Sequence, residues 1–389
     1  MQTDIFARLR DLAASAGSGT GEMRPILLRV ATDLFALHER HRPHEIRLYE
    51  EMADRLIADA DEASLTLVAR KLARCPDAPA AILRRIRARG GAPEVEILAA
   101  DPRIEHKELR QVAAGGACDH ACAVAGRDDL DREIAKILSR RPEREVVRAL
   151  AANAKAPLAV EELRLLCARG RDDAVLAQAL LARGEPMLEW LPLYLAADAA
   201  QREKLIGLAR AAGLAQIGRP DDLPPLDEEA AARLESCALR RKRSALALTL
   251  AEILGCDQFR ARKIVGDEGG DALTLAFIAI GLPREAAARI LLAAFPKVAL
   301  SVGAFARTMA LYARLPRREA SRIVAAFAGE AGKAGAKFLR ARAARAQAGR
   351  SKAERPQEAR APAGKGLAGA AGGAFSARNA NPLRTFTRR

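Results

Sequence analysis

Four stretches of the chain align at a constant offset of 26 residues: Leu72-Ala73-Arg74, Leu98-Ala99-Ala100, Val124-Ala125-Gly126 and Leu150-Ala151-Ala152. A fifth, Leu181-Ala182-Arg183, follows after a slightly longer interval. A fixed period of this length means that one small supersecondary unit recurs. Each stretch leads into a polar or Pro-containing turn: Cys75-Pro76-Asp77, Asp101-Pro102-Arg103, Arg127-Asp128-Asp129 and Asn153-Ala154-Lys155. After each turn, Leu83, Leu109, Ala135 and Leu163 hold one apolar position, and Ile86, Val112, Leu138 and Leu166 hold another three residues on. That spacing is helical. A second apolar run closes each unit, through Val95-Glu96-Ile97, Cys122-Ala123-Val124, Val146-Val147 and Val175-Leu176. Two helices of about eight to ten residues do not stand alone in water. Stacked on copies of themselves they share a continuous core, so the pattern predicts an α-solenoid of short helix pairs.

Composition supports an all-α fold. Half of the residues are hydrophobic but only 4% are aromatic, and the strong helix formers Ala, Leu, Arg and Glu dominate. The expected organisation begins with an N-terminal helix and a flexible break at 1–24, where Gly17 to Gly21 interrupt the pattern. The solenoid follows at 25–216. It includes an entry helix through Leu27, Leu28, Val30, Leu34, Phe35 and Leu37, then one opened by Pro43 and carrying Tyr49, Met52 and Leu56. Pro220, Pro224 and Pro225 mark a boundary at 217–227, and Asp227 is placed to cap the next helix. A second helical-repeat unit at 228–328 carries Ala261-Arg262-Lys263-Ile264, Ala287-Ala288-Arg289-Ile290 and Ala320-Ser321-Arg322-Ile323 at equivalent positions. Residues 329–389 lose the apolar period and read as a disordered basic tail.

The net charge of +15 is concentrated at one end. Residues 331–389 hold 14 Lys plus Arg against Glu354 and Glu358, leaving the preceding 330 residues at only +3. Asp4 and Arg8 stand where a signal peptide needs an apolar run, and no apolar stretch is long enough to span a bilayer. Six scattered cysteines form no disulfide framework. The expectation is a cytoplasmic protein with reduced thiols.

No catalytic constellation is legible, and no cofactor is implied. Cys118-Asp119-His120-Ala121-Cys122 puts two thiols on one helix face but turns His120 elsewhere, so buried thiols are expected rather than a metal site. His38, His41 and His44 are interrupted by Pro43 and read as a solvated helix end. Asp267-Glu268-Gly269-Gly270-Asp271 lacks the ligand alternation of a calcium loop and reads as a helix stop at the glycines followed by an N-cap at Asp271. Two basic features stand out as a candidate partner or polyanion surface. Arg84, Arg110, Lys136 and Arg164 occupy equivalent sites in four successive repeats, with Glu108 and Glu162 near enough to neutralise them. Arg240, Arg241, Lys242 and Arg243 form the densest basic cluster outside the tail. The expected function is a non-catalytic protein-interaction scaffold or regulatory adaptor for an unknown protein partner. The second expectation is weak, salt-sensitive binding of nucleic acid or an anionic surface through the tail.

Asp33-Leu34-Phe35 before a Glu-rich helix, the repeated Leu-Ala turns, and Ala247-Leu248-Thr249-Leu250-Ala251-Glu252-Ile253-Leu254-Gly255 followed by Ala-x-Lys-Ile resemble an uncharacterised bacterial family, domain of unknown function 2336. The resemblance spans roughly residues 25–328. It implies HEAT-like helical repeats and carries over no activity and no functional residue.

Overall fold

A computed structural model describes residues 23–38, 40–214 and 226–329. The expected N-terminal helix, most of the Pro-rich boundary and almost all of the basic tail lie outside these residues. Every regular element described is helical, and all belong to one compact unit.

Helices α1 (Met23–Ala36), α3 (Glu62–Leu72), α5 (Gly91–Ala100), α7 (Cys118–Ala125), α9 (Arg144–Ala152) and α11 (Ala174–Leu181) pack side by side as one layer, each against the next. The alternating helices α2 (Pro43–Ile57), α4 (Ala80–Arg87), α6 (His106–Gly115), α8 (Arg132–Ser139) and α10 (Val160–Gly170) form the second layer. In that layer α2 packs on α4, and α6, α8 and α10 pack in series. This is the two-layer arrangement that the 26-residue period requires. Leu83, Leu109, Ala135 and Leu163 are all buried, as are Leu72, Leu98, Val124 and Leu150, so both aligned positions face the seam between the layers.

The turns are short because side chains start the helices tightly. Asp61, Asp131 and Asp173 each accept the backbone N–H three residues on, and Glu162 reaches back to the backbone N–H of Ala159. Val175, read as apolar in the closing run of its unit, is exposed. It follows the N-cap Asp173 by two residues and lies opposite the buried Leu176–Leu180 stripe.

After α11 the period breaks at a 3-10 turn, Leu188–Leu193, which buries Trp190 and carries Pro192. Helix α12 (Ala199–Leu214) follows, then α13 (Glu228–Leu239), α14 (Arg243–Leu254), α15 (Gln258–Gly266), α16 (Asp271–Ile280), α17 (Arg284–Ala294), the single turn α18 (Pro296–Ala299), α19 (Val302–Arg314) and α20 (Arg317–Ala328). Helix α16 is buried on every side, from Ala272 to Ile280, and serves as the centre of this part. It ends at Gly281, whose φ of +76° is the left-handed cap that favours glycine. The aligned pairs Ala261/Ile264, Ala287/Ile290 and Ala320/Ile323 are all fully buried. Helix α20 packs on α16, on α12 and on the 3-10 turn, where Phe327 stacks on Tyr194 at 5.6 Å between ring centroids.

Candidate functional site

The first candidate is the row of cations on the second layer. Arg84 on α4, Arg110 on α6 and Arg164 on α10 are exposed, and Lys136 on α8 is half-buried. Each follows a buried core residue and therefore points away from the seam. The acids expected to neutralise them are committed elsewhere: Glu108 pairs with Arg87, and the buried Glu162 caps its own helix. Acids that follow in the chain take part instead, one at the start of the next repeat and one in the 3-10 turn. Arg110 approaches Asp131 at 4.0 Å and Arg164 approaches Glu189 at 3.3 Å. Arg84 and Lys136 form no ion pair among the described residues. Beside Arg164 the surface turns apolar, with Val160, Leu165 and Leu188 exposed.

A second set of cations was not read from the sequence, and its chemistry is different. Arg127, in the turn after α7, is 3% exposed. It donates to the carbonyls of Leu98 (2.7 Å) and Asp101 (3.0 Å), at the end of α5 one repeat earlier, and grips Asp129 with two bonds of 2.8 and 2.7 Å. Arg103 donates in the same way to Ala78, Asn153 to Ala125 and Arg127, and Arg183 to Ala151, Asn153 and Ala156. The second layer repeats the device. Arg141 reaches Ala113, Ala114 and Gly116 while holding Glu143, and Arg169 reaches Ser139, Arg141 and Pro142. A helix C-terminus presents unpaired carbonyls and the negative end of its dipole. A guanidinium with five donors satisfies several of them at once. These side chains tie each repeat to the one before it. The hydrogen bonds from Arg127 hold the Asp129 carboxyl below its ordinary range. The sequence signal was the cation-x-acid turn in Arg127-Asp128-Asp129 and Arg141-Pro142-Glu143.

A third region is a cleft of about 520 Å³ where α10, α11 and the 3-10 turn face α15. Its cations are also structural. Arg260, almost fully buried, holds Asp172 with two bonds of 2.7 Å and donates to the carbonyl of Phe327. Arg202 pairs with Asp267 at 3.0 Å and lies over the Tyr194 ring. Asp267 also accepts the backbone N–H of Ala272. The expected N-cap at Asp271 is therefore corrected: Gly270, at φ +75°, is the cap, and Asp271 is the first helical residue. Burial raises the Asp271 carboxyl above its ordinary value, and the nearby Asp267 charge adds to this.

The remaining candidates resolve as follows. Arg240, Arg241 and Lys242 are exposed in the turn before α14, whereas Arg243 is used structurally. Arg243 donates to the carbonyl of Ala294 and lies 5.1 Å from the Phe295 ring centroid. Cys118 and Cys122 are partly buried against the core, and burial, with the neighbouring Cys118, pushes the Cys122 thiol up to about 11. His38 is exposed, but the His41 imidazole is buried, which corrects the reading of a wholly solvated helix end. His41 stacks on Phe35 at 3.8 Å and its Nε2 contacts the Phe35 carbonyl, closing the turn between α1 and α2. No group of three or more His, Cys, Asp or Glu is arranged to hold a metal among the described residues.

Residues 95–212 match the family described as an uncharacterised protein conserved in bacteria (DUF2336). The DUF2336 segment takes in three full repeats, the 3-10 turn and most of α12. It is narrower than the span of 25–328 over which the resemblance was drawn. No curated protein and no solved structure matches the chain. Among the described residues no helix is long and apolar enough to cross a membrane.

Proposed function

We propose that this protein is a non-catalytic interaction scaffold whose docking face is the second helical layer. The observation that carries this reading is the division of its cations. The turn arginines are consumed in holding carbonyls, while among the described residues Arg84 and Lys136 form no ion pair on the layer they share with Arg110 and Arg164. A row of cations that ends in exposed Val160, Leu165 and Leu188 offers steering charge and a desolvatable patch together, which suits a protein partner with an acidic, partly apolar surface. The test is a photo-reactive residue placed at position 136, with a control at position 178 on the opposite layer. The reading expects one discrete protein adduct from position 136 and none from 178. Equal adducts from both positions, or none from either, contradict it.

A second reading is favoured by the charge of the tail, +12 across residues 331–389. Like charges along such a segment attract nucleic acid or anionic lipid without sequence preference, and salt screens that attraction. A gel shift that vanishes on truncation and weakens steeply with salt would identify this activity.

A further inference from the structure

Helices α14 and α15 pack against each other across a short turn, and part of their surface is exposed among the described residues. Between them runs a groove of about 260 Å³ lined by Ser244, Ala245, Ala247, Leu248, Gln258 and Arg262. Leu248, on the groove wall, is 45% exposed, and Phe259, which follows the wall residue Gln258, is 58% exposed, high values for side chains that gain from burial. Leu239, at the end of α13, is 60% exposed just before the turn that enters α14.

The charge around this groove is asymmetric. The exposed Arg240, Arg241 and Lys242 immediately precede α14, and Arg262, at the middle of α15, lines the groove. Arg240, Arg241 and Lys242 therefore stand at the N-terminal end of α14. The acids lie at the other, where Glu252 pairs with Arg233 at 3.8 Å and Asp257 caps α15. Lys242 gives α14 no side-chain cap, so the positive end of that helix also faces the cationic end. Arg241 has a φ of +53°, the one positive value at a non-glycine residue among those described. A long charged side chain is held there at a backbone cost that glycine would avoid.

We propose that this groove docks an acidic amphipathic segment of a partner protein, its apolar residues lying over Leu248 and Phe259 and its carboxylates meeting Arg240, Arg241, Lys242 and Arg262. The inference rests on the scaffold reading but uses a different face. Charge complementarity selects the occupant. The chain's own tail is strongly basic, and a second copy would bring the same cations, so both are repelled. The Lys263 ammonium sits 4.7 Å from the Phe259 ring centroid and occupies one face of the ring, which leaves a poor platform for stacking a nucleobase. An apolar groove with cations at its mouth matches helix-in-groove recognition, in which apolar anchors supply affinity and charge sets orientation.

The test uses the full-length protein and three fluorescent probes: an acidic amphipathic helical peptide, the same peptide with Lys in place of each Asp and Glu, and a single-stranded oligothymidine. The substitutions Leu248→Ser and Phe259→Ser remove apolar surface without changing charge, and the assay is run at a salt concentration high enough to screen the tail's attraction for acidic probes, so that only groove binding is read. The acidic peptide is expected to bind at least tenfold more weakly to L248S/F259S and to Arg241→Glu, with melting temperatures unchanged. It should bind equally well to Arg84→Glu. The basic peptide should not bind. Acidic-peptide binding that survives L248S/F259S, or an oligothymidine that competes for the same site, overturns the proposal. Either outcome leaves adducts at position 136 unaffected, so the groove can fail while the scaffold face stands.

Discussion

Replacing Arg127 with Met keeps most of its aliphatic stem but removes every donor. Two carbonyls, of Leu98 and Asp101, then lose their charged partner in a site where Arg127 is only 3% exposed. Hydrogen bonds to a charged group contribute about 1.5–3 kcal/mol each, and the sum is less than additive because one guanidinium makes both. The Asp129 side of the contact is half exposed and adds at most about 1 kcal/mol. The expected loss is about 3 kcal/mol, read as a fall of roughly 4–5 °C in melting temperature for a chain of this size. Arg127→Lys restores a point charge but not the fork and should recover less than half of the loss. Arg84→Met, on the exposed row, is the control and should shift stability by no more than about 0.5 kcal/mol. An Arg127→Met protein that melts within 2 °C of the parent would refute the assignment of these arginines as ties between repeats.

Three further outcomes follow from the same structure. The Asp129 carboxyl is held below its ordinary range by Arg127, so its contribution is full near neutral pH and is lost as pH falls through its lowered value; the melting gap between the parent and Asp129→Asn should close on acidification. Burial raises the Cys122, Cys167 and Cys256 thiols to about 11, 12 and 11, so they stay protonated at neutral pH, and mass spectrometry should find them slow to alkylate in the folded protein and fast in urea. A chain ending at Gly329 should melt near the full-length temperature while losing most low-salt binding to DNA, RNA or anionic vesicles; retained binding would move that activity onto the helical array.

The fold was legible because the repeat is written twice, once in apolar positions and once in turns. Leu83, Leu109 and Leu163 could be placed in the core from spacing alone, since a near-constant offset, 26 residues and then 28 at the last step, puts every copy in the same environment. The site was legible only in part. The row of Arg84, Arg110, Lys136 and Arg164 was visible because it is periodic. Its pairing was not, because Arg110 and Arg164 take acids that follow in the chain at distances set by helix packing. Arg183 looks like any other surface cation in sequence, and the cation-x-acid turns of Arg127 and Arg141 do not say which carbonyls they hold. Their carbonyl partners lie 25 to 32 residues upstream and carry no side-chain signature. His41 was misplaced for a similar reason, because only the turn between α1 and α2 brings its ring onto Phe35.

The division of cations into ties and a free row is tested most directly by neutralising the whole row. In the variant carrying Arg84→Gln, Arg110→Gln, Lys136→Gln and Arg164→Gln, only two surface ion pairs are lost, each worth about 0–1 kcal/mol. Thermal unfolding of this quadruple variant should therefore stay within about 3 °C of the parent, above the single Arg127→Met variant. A quadruple variant that melts as low as Arg127→Met would mean that the row is part of what holds the array together, and would contradict its assignment as a surface free for a partner.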